Sequence, residues 1–149
     1  MKSLFDKDTN RKIIDRINLL APERKNLWGK MTVSQIVTHA QRPLLVAFGD
    51  MKLKRGLIGI LFGAMAKKSM VKPEPFKKNM PTSPQFIVKN HGSFEAEKQK
   101  LIGLVERFTT SGPDGITKET HPFFGKLTTE EWDILQMKHL DHHLRQFGV

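Results

Sequence analysis

The C-terminal stretch of the chain predicts a helix whose buried face carries two histidines. At about 100° per residue, His139 and His143 lie within about 20° of Trp132, at the centre of the apolar stripe. His142 lies about 80° away, at the edge of that stripe. Two imidazoles on a core-facing stripe require polar partners, because an unpaired polar group in a core is costly in free energy. The rest of the chain must supply those partners.

Capping signals and apolar periodicity predict four main helices. The first helix is predicted to begin at Asp8 or Thr9 and to end before Pro22, and the third to begin at Ser93 and to end at Gly112-Pro113. Capping-box pairs mark the starts of the other two, Thr32 with Gln35 for the second helix and Thr128 with Glu131 for the last. Pro43 falls inside the second helix and predicts a kink or a break. Residues 86–88 are predicted to form a short extended piece. The pattern predicts an all-α bundle in one domain, residues 1–149, with an irregular basic insertion between the second and third main helices.

Composition limits the chemistry that the chain supplies by itself. Its 149 residues include no cysteine, which excludes disulfides, thiolate zinc sites and a cysteine nucleophile. Any metal must therefore be held by histidine, carboxylate or water. The N-terminal residues are too charged for a signal peptide, and no apolar run is long enough to span a bilayer, so a cytoplasmic location is expected by default.

The basic charge is concentrated in residues 52–78, which hold eight lysines and arginines and one acidic residue, Glu74, in a chain of net charge +10. The apolar centre of this segment, Leu57 to Ala66, suits a helix lying in a membrane interface. Nucleic acid is disfavoured, because the segment lacks a series of base-stacking aromatic residues. We favour a third interpretation, in which a helix or hairpin covers the bundle and its lysines face solvent.

His39, on the second helix, is the candidate third ligand for a metal held by the H-x-x-x-H pair, His139 and His143. Three neutral imidazoles with an open position are typical of catalytic zinc, and they also suit nickel or iron. The alternative is that each histidine only forms a hydrogen bond inside the bundle, to Gln136, Gln146 or a backbone carbonyl.

Three further residues are candidates for the surroundings of this site. Arg42 lies three residues after His39 and would hold an anionic group of a substrate, or form a salt bridge at the rim. His142 is assigned beside the ligands or at the surface. His121 lines the site mouth, or it packs in its loop beside Phe123 and Phe124.

Four stretches together resemble an uncharacterised branch of the DinB-like superfamily. They are LWGKMTVSQIVTHAQRP, FKKNMPTSPQF, HPFFGKLTTEEW and KHLDHHLRQFG. The resemblance implies a DinB-like four-helix bundle, commonly dimeric, with a divalent metal held by His39, His139 and His143. The superfamily's terminal pattern H-x-x-H-H-x-x-Q corresponds to His139, His142, His143 and Gln146. The basic glycine-rich insertion and the HPFFG loop depart from the general superfamily pattern.

The leading functional hypothesis is a metal-dependent hydrolase or a thiol-dependent transferase, since some superfamily members use low-molecular-weight thiols. Its substrate would be an anionic or thiol-containing small molecule, and the protein would be a homodimer. No carboxylate near the motifs is an obvious general base, so the catalytic residues stay unassigned. The alternative is a non-enzymatic module that uses residues 52–78 to bind a membrane surface or another anionic partner.

Overall fold

The computed structural model describes residues 2–149, and these residues form helices and loops without a β-strand. Within that range the helices are α1 (Lys7–Asn18), α2 (Val33–His39), α3 (Gln41–Ala47), α4 (Leu57–Met70), α5 (Phe94–Ser111) and α6 (Thr129–Gln146). Single 3-10 turns lie at Pro84–Phe86 and Pro113–Gly115. The all-α prediction is confirmed. Of the extended piece predicted at residues 86–88, Phe86 instead ends the first of these 3-10 turns, and Ile87 after it is extended.

Most helices begin where the capping signals of the sequence place them. Reciprocal capping boxes start α2 at Thr32 with Gln35 and α6 at Thr128 with Glu131, and the Ser93 side chain caps α5. The cap predicted for α1 was wrong, since the helix is capped by Asp6 rather than by Asp8 or Thr9. The Asp6 carboxylate accepts a hydrogen bond from the Thr9 N–H at 2.8 Å, which satisfies one of the free N–H groups in the first turn of the helix.

The second predicted helix is divided into α2 and α3 at Ala40. Pro43 accounts for the break, because it has no N–H to bond the carbonyl of His39 four residues earlier and its ring collides with that carbonyl. α2 therefore ends at His39. The predicted break also places the His39 side chain at a helix end, beside the loop that follows α4.

The core lies between α1, α5, α6 and the α2–α3 pair. α5 contacts α1, α2 and α3, and α6 contacts α1 and α3. The largest fully buried apolar side chains of the core are Trp132, Phe108, Phe147, Leu4, Ile13, Ile17, Ile36, Leu44, Leu101 and Leu140. Buried polar groups also join the helices. The Lys98 ammonium on α5 donates to the carbonyls of Asn18 and Leu20 at 3.1 Å, which satisfies the end of α1.

α4 packs through a stripe of small residues. Gly59 and Gly63 lie so close to the backbone of Pro122 and Phe123 that neither has room for a Cβ atom. Residues 52–78 thus contain a helix, as the favoured interpretation allows, and the large apolar side chains of this helix point outward. None of the helices in residues 2–149 has the length and apolar character needed to cross a membrane.

Candidate metal centre

His39 reaches the interior from the last turn of α2. Its Nδ1–H donates to the carbonyl of Phe86 at 2.9 Å. A carbonyl can only accept, so this bond places the ring proton on Nδ1 and leaves a lone pair on Nε2. His39 is buried, and burial, with a smaller contribution from the Arg42 charge, lowers its pKa. The ring is therefore neutral at neutral pH, with its free lone pair directed away from Phe86.

His139 and His143 lie on consecutive turns of α6, facing His39. The Nδ1 atom of His143 is 2.9 Å from Oε1 of Gln146, and Nε2 of Gln146 donates to the carbonyl of Trp28 at 2.7 Å. The amide must present its nitrogen to that carbonyl, so its oxygen accepts from His143. This chain of two hydrogen bonds fixes the His143 proton on Nδ1 and leaves its Nε2 lone pair free.

The three rings converge on one point. Nε2 of His139 lies 3.2 Å from Nε2 of His39 and 3.1 Å from Nε2 of His143. One ring nitrogen from each histidine lies within 4.8 Å of the others. A tetrahedral zinc ion with Zn–N bonds of about 2.0–2.1 Å holds its ligand nitrogens roughly 3.3–3.4 Å apart. The two spacings that involve His139 are close to that value.

No tautomer of His139 satisfies this cluster by hydrogen bonds alone. A proton on its Nε2 can be directed at one neighbouring lone pair only, which leaves the other pair of nitrogens in a repulsive contact. A proton on its Nδ1 is buried without a partner among the described residues and leaves three bare lone pairs together. A cation at the convergence point removes the repulsion between the lone pairs. The three imidazoles are therefore better suited to binding a metal ion than to forming hydrogen bonds with one another.

Burial also keeps the cluster in the ligating form. It lowers the pKa of His143 to about 3, with the neighbouring His39 as a smaller cause, and it lowers the pKa of His139 well below 6.5. Metal ligation requires neutral imidazoles. The cluster therefore meets that requirement at neutral pH without a conformational change.

His142 lies beside the cluster and is only half-buried. Its ring stands edge-on to Trp28, Phe76 and His143, with centroid distances of 5.9, 6.3 and 5.1 Å. Burial lowers its pKa, opposed by a hydrogen bond with the Phe76 backbone. The Lys78 ammonium lies 4.4 Å from the centre of the Trp28 ring, on the same side of the molecule. These side chains form an aromatic and basic border next to His143.

Arg42 contacts backbone carbonyls. Its Nη1 donates to the carbonyls of Gln85 and Ile87 at 3.1 and 2.9 Å, on either side of the Phe86 carbonyl that His39 uses. Three consecutive carbonyls are thus held by residues of α2 and α3. Arg42 therefore positions the segment that orients His39, which is neither of the roles considered from the sequence.

His121 lies in the turn that supports α4. Its Nδ1 accepts hydrogen bonds from the backbone N–H groups of Phe123 and Phe124 at 3.0 and 3.1 Å. Its ring packs on Trp132, seven residues before His139, which is about 10 Å along the helix axis. These contacts match the loop-packing alternative for His121.

Two contributors to the site escaped sequence analysis, the carbonyls of Phe86 and Trp28. Every residue type carries a carbonyl, so no residue pattern identifies these two. Gly29 offers a partial signal: its φ of +79° favours glycine, and a Cβ atom there would collide with the Gln146 amide. A glycine after Trp28 in the motif LWGKM thus marks the close approach of this loop to α6.

Comparison with known proteins places the chain in a family. A family model described as "Protein of unknown function (DUF1569)" matches residues 5–148. No curated protein matches the sequence, and no solved structure matches it. The match covers nearly the whole chain, so it includes all three histidines of the cluster and the α4 segment. The chain belongs to the DUF1569 family.

Proposed function

We propose that this protein is a metal-binding member of the DinB-like superfamily in which His39, His139 and His143 hold one divalent ion. The observation that carries the proposal is the convergence of three Nε2 atoms, two of them freed of protons by the bonds that their Nδ1 atoms make. Imidazole ligands suit zinc, nickel and iron. Three protein ligands leave a coordination position for water or substrate, as in catalytic zinc sites.

The helix order supports a DinB-like four-helix bundle made of α1, the α2–α3 pair, α5 and α6. In this assignment α4 and the loops around it form the irregular basic insertion between the second and third main helices. The proposed ligands come from the second helix of the bundle and from an H-x-x-x-H pair on the last, as the sequence resemblance implies. The homodimer implied by the same resemblance stays a prediction for sedimentation analysis.

The activity that fits such a site is metal-dependent hydrolysis or thiol transfer. A bound divalent ion lowers the pKa of a coordinated water or thiol, which supplies a nucleophile at neutral pH. The chain has no cysteine, so the thiol of a transferase reaction would belong to a small molecule. The protein's own part is to orient His39 and His143 through the Phe86 carbonyl and the Gln146 amide.

An anionic substrate would be bound at the border of the site rather than by Arg42. The Arg42 guanidinium is engaged with two backbone carbonyls, whereas Lys78 is exposed above the Trp28 ring beside His142. We therefore assign the substrate's anionic group to Lys78 and the lining of the approach to His142 and Trp28.

The experiment that tests the proposal is elemental analysis of protein purified without a metal-affinity tag, before and after incubation with zinc, nickel or ferrous iron. We expect about one ion per chain. His143→Ala removes one ligand and one half of the Gln146 bridge, so it should lose most of the bound metal. His142→Ala is the matched control, because it removes the neighbouring imidazole and leaves the three converging rings intact.

Circular dichroism separates loss of the site from loss of the fold. A folded wild-type protein that takes up none of the three metals would refute the proposal. Equal metal content in the folded His142→Ala and His143→Ala variants would refute the ligand assignment.

A further inference from the structure

The outward side of α4 is an exposed apolar surface. Its large side chains are between 50 and 72% exposed: Leu57, Ile58, Ile60, Leu61, Phe62 and Met65. Single exposed apolar residues are ordinary on protein surfaces, but six of them in three turns of one helix form a contiguous patch. Patches of this kind mark interaction sites.

The packing of α4 fixes which side faces outward. Gly59 and Gly63 lie on one side of the helix, four residues apart, against the backbone of the turn at residues 122–124. No large side chain fits in that contact. The bulky residues must therefore occupy the remaining circumference, and the helix cannot bury them by rotating in place.

Positive charge surrounds this apolar patch. Lys52 and Lys67 have carboxylate partners in Glu119 and Glu131. The remaining basic residues of the segment pair with no carboxylate in residues 2–149: Lys54, Arg55, Lys68, Lys72, Lys77 and Lys78. Lys54 and Arg55 directly precede α4 and Lys68 lies in its last turn, so both ends of the apolar helix carry cations.

A groove of about 470 Å³ runs beside the patch, between α4 and the turn that supports it. Its basic lining residues are Arg55, Lys67, Lys68 and Lys126, and its only carboxylate is the Glu131 that Lys67 already neutralises. The groove therefore presents net positive charge immediately next to exposed aliphatic side chains.

We propose that α4 binds the surface of an anionic phospholipid bilayer. The helix lies in the plane of the interface, with its apolar patch among the upper acyl chains and its flanking cations on lipid phosphates. The groove accommodates a phosphate headgroup. α4 has 14 residues, a length of roughly 21 Å, which is short of the roughly 30 Å hydrocarbon core. It therefore lies along the surface and does not cross it.

Charge decides between this partner and a second copy of the chain. Two α4 helices packed face to face would bring two sets of unpaired cations together, and like charges across an interface disfavour association. An anionic bilayer supplies the opposite charge and an apolar layer at the same depth. Nucleic acid offers the charge but no partner for six aliphatic and aromatic side chains.

The test is co-sedimentation of the purified protein with vesicles of phosphatidylcholine containing about one-third phosphatidylglycerol, compared with pure phosphatidylcholine. We expect at least about tenfold stronger partitioning onto the anionic vesicles, reduced by added salt. Millimolar glycerol phosphate should not displace the protein, since a free headgroup lacks the acyl layer.

Two variants with matched controls separate the two contributions. Leu61→Gln combined with Phe62→Gln removes apolar area without changing the charge and should reduce partitioning at least about tenfold, whereas Leu19→Gln, at a comparably exposed leucine just after α1, should leave it unchanged. Lys54→Glu combined with Lys68→Glu should also reduce partitioning at least about tenfold. Lys25→Glu combined with Lys118→Glu changes the net charge equally and should have little effect.

Three results would overturn the proposal. They are equal partitioning onto neutral and anionic vesicles, retention of binding by the Leu61/Phe62 variant, and displacement by glycerol phosphate alone. Light scattering on the same samples tests whether a second copy of the chain covers the patch instead. If the wild type is an oligomer that does not bind vesicles, and the Leu61/Phe62 variant is a monomer, the patch is an interface between two copies. Metal content is measured independently, so failure here leaves the metal centre untouched.

Discussion

The side-chain amide of Gln146 joins His143 to the backbone carbonyl of Trp28. Its Oε1 lies 2.9 Å from Nδ1 of His143, and its Nε2 lies 2.7 Å from the Trp28 oxygen. The carbonyl fixes the orientation of the amide, and the amide fixes the tautomer of the imidazole. A loop that contributes none of the three histidines thus determines which nitrogen of His143 faces the cluster.

We predict that Gln146→Met weakens metal binding about 10- to 100-fold, because it removes the group that orients His143. Gln146→Glu keeps an acceptor for the His143 Nδ1–H, although it places a carboxylate oxygen against the Trp28 carbonyl, so its loss should be smaller than that of Gln146→Met. Competitive titration with a chromophoric chelator measures both. Equal affinities for wild type and Gln146→Met would show that the bridge does not control the ligand.

The three-histidine cluster was predictable because it depends on side-chain identity and helical spacing. The H-x-x-x-H pair has one geometry on a helix, and it places His139 and His143 on adjacent turns. The groups that orient these histidines were not predictable in the same way. Phe86 and Trp28 act through carbonyls, and their positions depend on how two loops return to the bundle.

The fold also has features that the sequence predicts and features that depend on distant contacts. Capping boxes at Thr32 and Thr128 correctly marked helix starts, because each depends on residues three positions apart. The orientation of α4 was not evident, since this helix is apolar around nearly its whole circumference and periodicity selects no face. The contact made by Gly59 and Gly63 selects it, and that contact involves a turn sixty or more residues later.

We predict that Gly63→Ala destabilises the protein by about 1–3 kcal/mol, because the added Cβ would collide with the Phe123 carbonyl, which backbone geometry holds in place. Gly103→Ala is the control. Gly103 lies inside α5 with open space around it, so alanine should stabilise the helix there by about 0.5–1 kcal/mol. Urea unfolding measures both values. A neutral or stabilising Gly63→Ala would contradict the close packing of α4.

Gln136 offers a prediction of the opposite sign. It is fully buried, and neither atom of its amide has a hydrogen-bond partner in residues 2–149. Gln136→Met removes the unpaired amide at similar volume, so it should raise the free energy of unfolding of the metal-free protein by about 1–3 kcal/mol.

The matched control for this prediction is Gln41→Met. Gln41 is also buried, but its Nε2 donates to the carbonyls of Val37 and Glu97 and to the Glu97 carboxylate. Losing these bonds should destabilise the protein. If urea unfolding shows both variants destabilised alike, the amide of Gln136 has a partner in solution and the prediction is wrong.

His121 makes the stability of the fold depend on pH. Burial lowers its pKa from 6.5 to about 4, and its Nδ1 must stay unprotonated to accept the N–H groups of Phe123 and Phe124. The folded state therefore favours neutral His121, while the unfolded chain is protonated below pH 6.5. The stabilisation is fully present above pH 6.5 and is lost as the pH falls towards 4, a change of about 3 kcal/mol at most.

His121→Asn isolates this contribution, because the asparagine oxygen can accept the same two N–H groups and does not titrate between pH 4 and 7. We expect the difference in unfolding free energy between wild type and variant to change with pH between 6.5 and 4, with wild type losing more. Below pH 4 the two curves should run parallel, since both states of the wild type are then protonated at this position. Parallel curves over the whole range would mean that protonating His121 in the folded state costs no free energy. That result would contradict the role assigned here to its two backbone donors and its contact with Trp132.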